Sequence, residues 1–351
     1  MKSFFSIFPT PRFLKFSYVG FDISDGSLKY AEVFDDGKGM GLGKFGEEKF
    51  EVTGGDIFEN PSLLASIKEV ATEKKITHGK FVLPESVTYL FTTAIEGSTF
   101  DEIKNSIEFS LEENVPISAA EALFDFYLLP PKEGEKRQAV VSVVSEANVA
   151  KAINMFAEAG ITLVSCMVES SSLSRAVVPR EDRSAYLLVV LDENETVLAV
   201  SSGGFVQFSS TLNAGGSLIS NALKKSLKIT DAEAEEMKTK KGFLKMGQDA
   251  DTYAIFANAI GVLRDEIQRI LAYWQTHKDV GEKEPIKKII LSGRDALIPG
   301  LADYLEMSLE VNTTVADTWT NVSRYKGEVA PLSFEDSVRF GSVVGLSLPN
   351  L

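Results

Sequence analysis

The sequence predicts an α/β chain of two lobes, with a small α+β insert in the first lobe. Three observations carry this reading. Strands and helices alternate along almost the whole length, the pattern of α/β folds. A strand–turn–strand hairpin with an acidic, serine- or threonine-bearing turn occurs near Asp22 and again near Asp192, and each opens a β-rich stretch that runs on into helices. The 351 residues, 44% hydrophobic and 25% charged, exceed one compact core and suffice for about two domains.

The elements follow in order. Tyr18–Val33 reads as strand, tight turn (Ser24-Asp25-Gly26-Ser27) and strand, from the alternation of Val19, Phe21 and Ile23. A glycine-punctuated stretch, 36–46, leads to a strand expected near Lys49–Val52. Leu64, Ile67 and Ala71 share one face of a helix over 61–74, and a strand over 80–83 ends at Pro84. The insert is expected over 85–168: a strand over 87–95, an amphipathic helix over 100–114 carrying Ile103, Ile107 and Leu111, a strand over 123–129, a charged loop over 130–137, a strand over 139–144, a helix over 146–159 and a strand over 161–167. A connection over 169–183 leads to the second lobe, 184–329. There a strand over 185–191, a turn at 192–195 and two further strands precede a helix opened by Gly215-Gly216. Thr230 and Glu233 form a capping-box signature for the next helix. Phe256, Ile260, Leu263, Ile267, Ile270 and Trp274 mark a long helix over 253–274. A strand over 285–291 precedes LSGRDALIPG and a helix from Leu301. A last apolar helix, 337–346, completes the first lobe, which comprises 1–84 and 330–351.

Composition excludes several classes. The net charge of −14 opposes binding of nucleic acid or of an anionic lipid surface. One cysteine, Cys166, leaves no intrachain disulfide and no cysteine metal cluster, and its apolar neighbours suggest a buried, inert thiol. His78 and His277 stand far apart beside lysines and read as surface residues. Segment 1–16 breaks at Pro9 and Pro11 and is not read as a signal peptide. No run of about 18 apolar residues spans a membrane, so the expected location is cytoplasmic.

A small-residue hairpin turn offers backbone N–H groups to a phosphate, and an Asp at its base can hold magnesium through water. Two such hairpins, followed by a glycine turn after a strand, place two phosphate clasps on facing lobes and leave a turn for adenosine. In this order the motifs resemble the actin-like (ribonuclease H-type) ATPase superfamily, and within it the PilM-type pilus assembly proteins. VGFDISDGSLKYAEV resembles the first phosphate motif, VLPESVTYLFTT and IKNSIEFSLEENVPISAAEALFDFYLL the PilM-type insert, and AGGSLISNAL with AEAEEMK the glycine turn and ribose-contacting Glu235 and Lys238. LSGRDALIPGLADYL resembles the adenosine motif and FGSVVGLSL the closing helix.

The resemblance implies ATP and magnesium as cofactors. The implied nucleotide contacts are Asp22, Ser24, Asp25, Gly26, Ser27 and Lys29 in the first lobe. In the second they are Asp192, Thr196, Gly215, Gly216, Glu235, Lys238, Ser292, Gly293 and Arg294, with magnesium held through water by Asp22 and Asp192. Three departures stand out. Ser24 replaces a glycine, which a turn tolerates while φ stays negative. Aligned on Thr196, the second phosphate motif has Val190 at the aspartate and Asp192 at the glycine; aligned on Asp192, it keeps the acid and shortens the turn. In the first alignment a carboxylate faces the phosphates, at roughly 4 kcal/mol per like-charge pair at about 4 Å and an effective dielectric of about 20. A bridging magnesium ion would reverse that sign. Arg294 replaces a glycine of the adenosine motif and either stacks on adenine or closes the pocket. Nucleotide binding is therefore expected with at most slow hydrolysis, and no catalytic base can be named.

The function so implied is a nucleotide-binding scaffold of a type IV pilus or related secretion platform, at the inner face of the cell membrane. Its partner would be the cytoplasmic N-terminal tail of a PilN-like membrane protein, held between the first lobe and the insert; other platform and motor proteins are further partners. Apolar residues over 87–95 and on the 100–111 helix are candidate groove residues. The alternatives are an active ATPase or phosphotransferase, which intact glycine turns would favour, and an FtsA-like division protein, which a basic amphipathic C-terminal helix would favour.

Overall fold

The computed structural model describes residues 18–35, 39–130, 136–243, 250–276, 284–322 and 329–349. Segment 1–16, the start of the 36–46 stretch, most of the 130–137 loop and His277 lie outside the described residues. Strands β1 (Val19–Ser24) and β2 (Ser27–Asp35) pair antiparallel through Asp25-Gly26, with φ of 49° and 67°. Positive φ at both central positions gives the hairpin turn that follows the natural twist of the strands, which is why Asp-Gly suits it. Ser24 pairs with Ser27 and is spared the left-handed region, as the sequence required.

Strand β3 (Met40–Lys49) pairs with β2. The strand expected near Lys49–Val52 therefore runs earlier, and Gly41, Gly43 and Gly46, read as punctuation, lie within it. Gly46 sits opposite Tyr30, whose ring occupies the space of a side chain there. Strands β4 (His78–Leu83) and β8 (Thr162–Val168) add in parallel, giving the order β3-β2-β1-β4-β8. Helix α1 (Pro61–Lys74) starts at Asn60, whose side chain accepts from the Ser62 and Leu63 N–H groups. Its buried Leu63, Ile67 and Val70 pack on this sheet beside Ala152, Met155 and Phe156 of α3 (Glu146–Glu158). The rings of Phe21 and Phe81 lie 5.2 and 5.3 Å from that of Phe156.

The insert is smaller than 85–168. Strands β5 (Thr88–Ala94), β6 (Ala122–Leu128) and β7 (Gln138–Ser145) form a sheet in the order β5-β7-β6. Helix α2 (Phe100–Asn114), capped by the Thr99–Glu102 box, covers one face with Ile103, Ile107 and Leu111. α3 and β8 instead belong to the first-lobe layer, because β8 bonds to β4 and α3 buries its apolar face on the phenylalanine cluster. The candidate groove residues Ile95, Ile103, Ile107 and Leu111 are core of the insert.

The second lobe repeats the first. Strands β9 (Ala185–Leu191), β10 (Thr196–Ser202), β11 (Phe205–Leu212), β12 (Ile286–Ser292) and β13 (Thr313–Val315) take the order β11-β10-β9-β12-β13. The meander is again antiparallel and the last two strands parallel, so the duplication holds at the level of topology. Helices α5 (Ser217–Leu227), α6 (Asp231–Lys240), α7 (Ala250–Thr276) and α8 (Leu301–Leu309) complete it. α6 starts at the expected Thr230–Glu233 capping box. The stripe from Phe256 to Trp274 on α7 is buried throughout.

Two helices are exchanged between lobes. α4 (Glu169–Val177) follows β8, yet its Leu173, Ala176 and Val177 pack on Leu188, Val190, Val197 and Ala199 of the second sheet. α10 (Gly341–Ser347) follows the second lobe, yet Val343 and Val344 pack on Ala31 and Val33 of the first. The expected single helix over 337–346 is broken into α9 (Phe334–Ser337), a 3-10 turn at Val338–Phe340 and α10. α4 and α10 lie against each other between the sheets. Among the described residues no helix is long and apolar enough to cross a membrane.

Candidate functional site

The two hairpin turns and the carboxyl ends of β8 and β12 meet across a cleft between the lobes, the edge at which parallel strands usually present ligand-binding loops. The cavity there measures ≈ 420 Å³, within the size range of small-ligand sites. Of the sequence-expected residues it brings together Asp22, Ser24, Asp25, Gly26, Ser27, Lys29, Asp192, Ser292, Gly293 and Arg294. Thr196, Gly215, Gly216, Glu235 and Lys238 do not line it. Thr196 is buried and donates to the Ala214 carbonyl at 2.6 Å. The start of α5 is satisfied by the second turn itself, with Gly216 N–H on the Asp192 carbonyl at 3.0 Å and Ser217 N–H on that of Glu193 at 2.8 Å. Sequence reasoning missed Glu47, Lys49, Phe50, Val52, Glu169, Arg339 and Ser342. Glu169 directly follows β8, and it is the pairing of that strand with β4 that brings it to the cleft.

Several charged groups of the cleft are paired within the chain. Lys29 lies 3.8 Å from Asp22 and donates to the Ser24 hydroxyl. Arg339 reaches Glu47 at 2.8 and 3.0 Å. Both oxygens of Asp25 accept from the backbone N–H of Glu193 at 3.1 Å, which joins the two turns. Arg294 donates its own N–H to Asp192 at 3.2 Å, and its guanidinium to Glu193 at 2.9 Å and Glu235 at 3.0 Å. Glu235 also meets buried Lys238 at 3.0 Å, and Lys238 meets buried Asp295 at 2.8 Å. The other oxygen of Asp295 is buried against Gly216 without a hydrogen-bond partner.

Burial pushes the carboxyls of Asp22 and Asp25 up, against the pull of Lys29 on both. Glu169 is raised well above the carboxylate range by burial and then by Asp22, Asp192, Glu85 and Glu195. Asp192 is raised to about 7, by burial first and by Asp25 second. A carboxyl raised on folding adds stability below its unfolded value, and that stability is lost as pH rises through the folded value. The thermal midpoint is therefore expected to fall between pH 5 and pH 8, and Asp192→Asn to flatten the profile; differential scanning calorimetry across that window checks it. Asp182, held low by Lys287, contributes with the opposite sign but only at more acid pH. Cys166 is half-buried, and burial raises its thiol to about 11, which makes it unreactive as expected. His78 is exposed.

The residues do not fit the ATP and magnesium that the resemblance implies. On the phosphate side the N–H of Glu193 is already taken by a carboxylate, and Lys29, Arg294 and Arg339 each face one. On the adenosine side Arg294 is drawn to Glu193 and Glu235 and closes the space between the glycine turn and α6. For magnesium, Asp22 faces Lys29, Asp192 accepts from Arg294, and among the described residues no group of three or more acidic, His or Cys side chains is placed to hold a metal ion.

The comparisons with known proteins agree on the frame. A family model described as type IV pilus assembly protein PilM matches residues 20–349. A chain solved in the PilM–PilN type IV pilus biogenesis complex is similar over 94% of this chain and 97% of its own, at 20% identity and a TM-score of 0.75. The ethanolamine utilization protein EutJ from Carboxydothermus hydrogenoformans is similar over 95% and 89%, at 13% identity and a TM-score of 0.56. MreB5 of Spiroplasma citri, solved bound to ADP, is similar over 94% of each chain, at 13% identity and a TM-score of 0.53. At these identities the structural likeness is one of fold, the actin-like ATPase fold. No curated protein matches the chain.

Proposed function

This chain belongs to the type IV pilus assembly protein PilM family, and on that premise we propose that it is a cytoplasmic scaffold of a type IV pilus or related secretion platform. It docks the cytoplasmic N-terminal tail of a PilN-like inner-membrane protein and reaches the membrane through it. What supports this reading is a pair of sheet edges, one on the first-lobe sheet and one on the insert, with Arg175 near both. β8 and β6 each end a sheet and leave an edge unpaired among the described residues. Their side chains Val164, Leu123 and Tyr127 are each 42% exposed, although two of them are large and apolar. Arg175 lies 3.7 Å from the Met167 sulfur on β8, and its charge acts on the Tyr127 hydroxyl on β6. An extended peptide fits such a place, since its main chain pairs with a free strand edge while alternate side chains enter apolar pockets.

The insert edge adjoins the second lobe, because the Tyr127 ring lies 5.2 Å from that of Phe205 on β11. Occupancy of that edge is thereby linked to the placement of the lobes. Nucleotide turnover has no part in this reading, since the cleft geometry does not favour it.

The test is a fluorescence-anisotropy titration with the N-terminal peptide of a PilN-like protein. Val164→Arg is expected to weaken binding about tenfold or more, roughly 1.4 kcal/mol. Phe109→Ala, on the outer face of α2 and 85% exposed, is expected to leave it unchanged. Equal affinity for wild type and Val164→Arg would show that these edges are not the docking site.

A further inference from the structure

We infer that the interlobe cleft of this chain is clasped by its own charged residues, with the Asp25 carboxylate standing where an anionic ligand would sit on the second turn. The first support is geometric. Asp25 occupies the tip of the first hairpin turn at φ 49°, and this conformation directs both carboxylate oxygens at one N–H across the cleft, that of Glu193. A turn amide bonded to a carboxylate is the arrangement by which such turns hold anions, here completed without a ligand. The partners are 168 residues apart in sequence, so the bond spans the lobes.

The second support is continuity. Glu193 is held twice, its N–H by Asp25 and its carboxylate by Arg294 at 2.9 Å. Arg294 continues to Glu235 at 3.0 Å, Glu235 to Lys238 at 3.0 Å, and Lys238 to Asp295 at 2.8 Å. One chain of hydrogen bonds and ion pairs thus runs from the first lobe through the second turn to α6, alternating in charge from Glu193 onward. The chain takes up two things a nucleotide in this cleft would need, the turn amide for phosphate and the space beside Gly293 that Arg294 fills. The third support is Arg294, which stands where the resemblance sets a glycine and is held by Glu193 and Glu235.

The clasp predicts that the lobes stay together without ATP. Two measurements on the full chain test it. Calorimetric titration of wild type with ATP–Mg²⁺ is expected to give no saturable heat at millimolar nucleotide. Hydrogen exchange followed by mass spectrometry or NMR is expected to show the Glu193 amide exchanging about tenfold or more faster in Asp25→Asn, the loss of one charge-assisted bond. Asn keeps the left-handed turn, so the variant should fold; its far-UV dichroism and melting check that. Micromolar ATP–Mg²⁺ binding by wild type, or unchanged exchange at Glu193 in Asp25→Asn, overturns the clasp. Neither measurement uses the peptide, so failure here leaves the docking reading to its own titration.

Discussion

Replacing Lys238 by methionine is expected to destabilise the chain by about 3–5 kcal/mol, the usual cost of removing one partner from a buried ion pair. The side chain is 1% exposed and that of Asp295 2%. Burial already raises the Asp295 carboxyl, and the Lys238 ammonium opposes that most strongly. Without it Asp295 keeps one oxygen with no hydrogen-bond partner and loses the partner of the other. The double substitution Lys238→Met with Asp295→Leu is expected to recover most of the loss, because neither charge is then stranded. Lys240→Met breaks only an exposed pair with Glu236 on the same helix and should leave the denaturation midpoint in place. Urea unfolding of the three variants checks the ordering. Equal midpoints for Lys238→Met and wild type would show that the buried pair contributes little.

The second large effect is expected at Gly345→Ala. An exposed helical glycine gains about 1 kcal/mol on becoming alanine. Here a Cβ would stand 1.7 Å from the carbonyl oxygen of Ser172 and 3.1 Å from the Ala176 nitrogen, both backbone atoms of α4. Neither can give without parting α10 from α4, so a loss of about 3 kcal/mol or more is expected, at the upper end of overpacking costs. Gly261→Ala on α7, where a Cβ meets nothing within 4 Å, is expected to shift the thermal midpoint the other way. A stabilised Gly345→Ala chain would mean that the helices are not in contact.

Much of this was legible from sequence because period and punctuation agreed. The buried stripe from Phe256 to Trp274 and the capping boxes at Thr99 and Thr230 specify their helices locally. Asp25, Gly26 and Asp192, singled out from their turns, line one cavity. What failed was long-range pairing. Nothing near Thr162–Val168 says that this strand bonds to β4, 84 residues earlier at His78 opposite Thr162, so the insert reads too long from sequence and Glu169 escapes it. Gly41, Gly43 and Gly46 looked like a loop because the reason for small residues there, such as the Tyr30 ring opposite Gly46, lies on another strand. Whether Arg294 stacked or closed the pocket was likewise set by distant partners, Glu193 and Glu235.

The exchange of α4 and α10 has a consequence for biosynthesis. As the chain leaves the ribosome, strands β1, β2 and β4 emerge early, but the face holding Ala31 and Val33 is covered by Val322, Phe340, Val343, Val344 and Leu348 from a much later segment. Until that later segment emerges, this apolar surface lacks its native cover, the condition under which nascent chains recruit chaperones or aggregate. The lobes are therefore obligate partners in maturation. Neither lobe closes its core alone, because each takes a helix from the stretch of chain that belongs to the other.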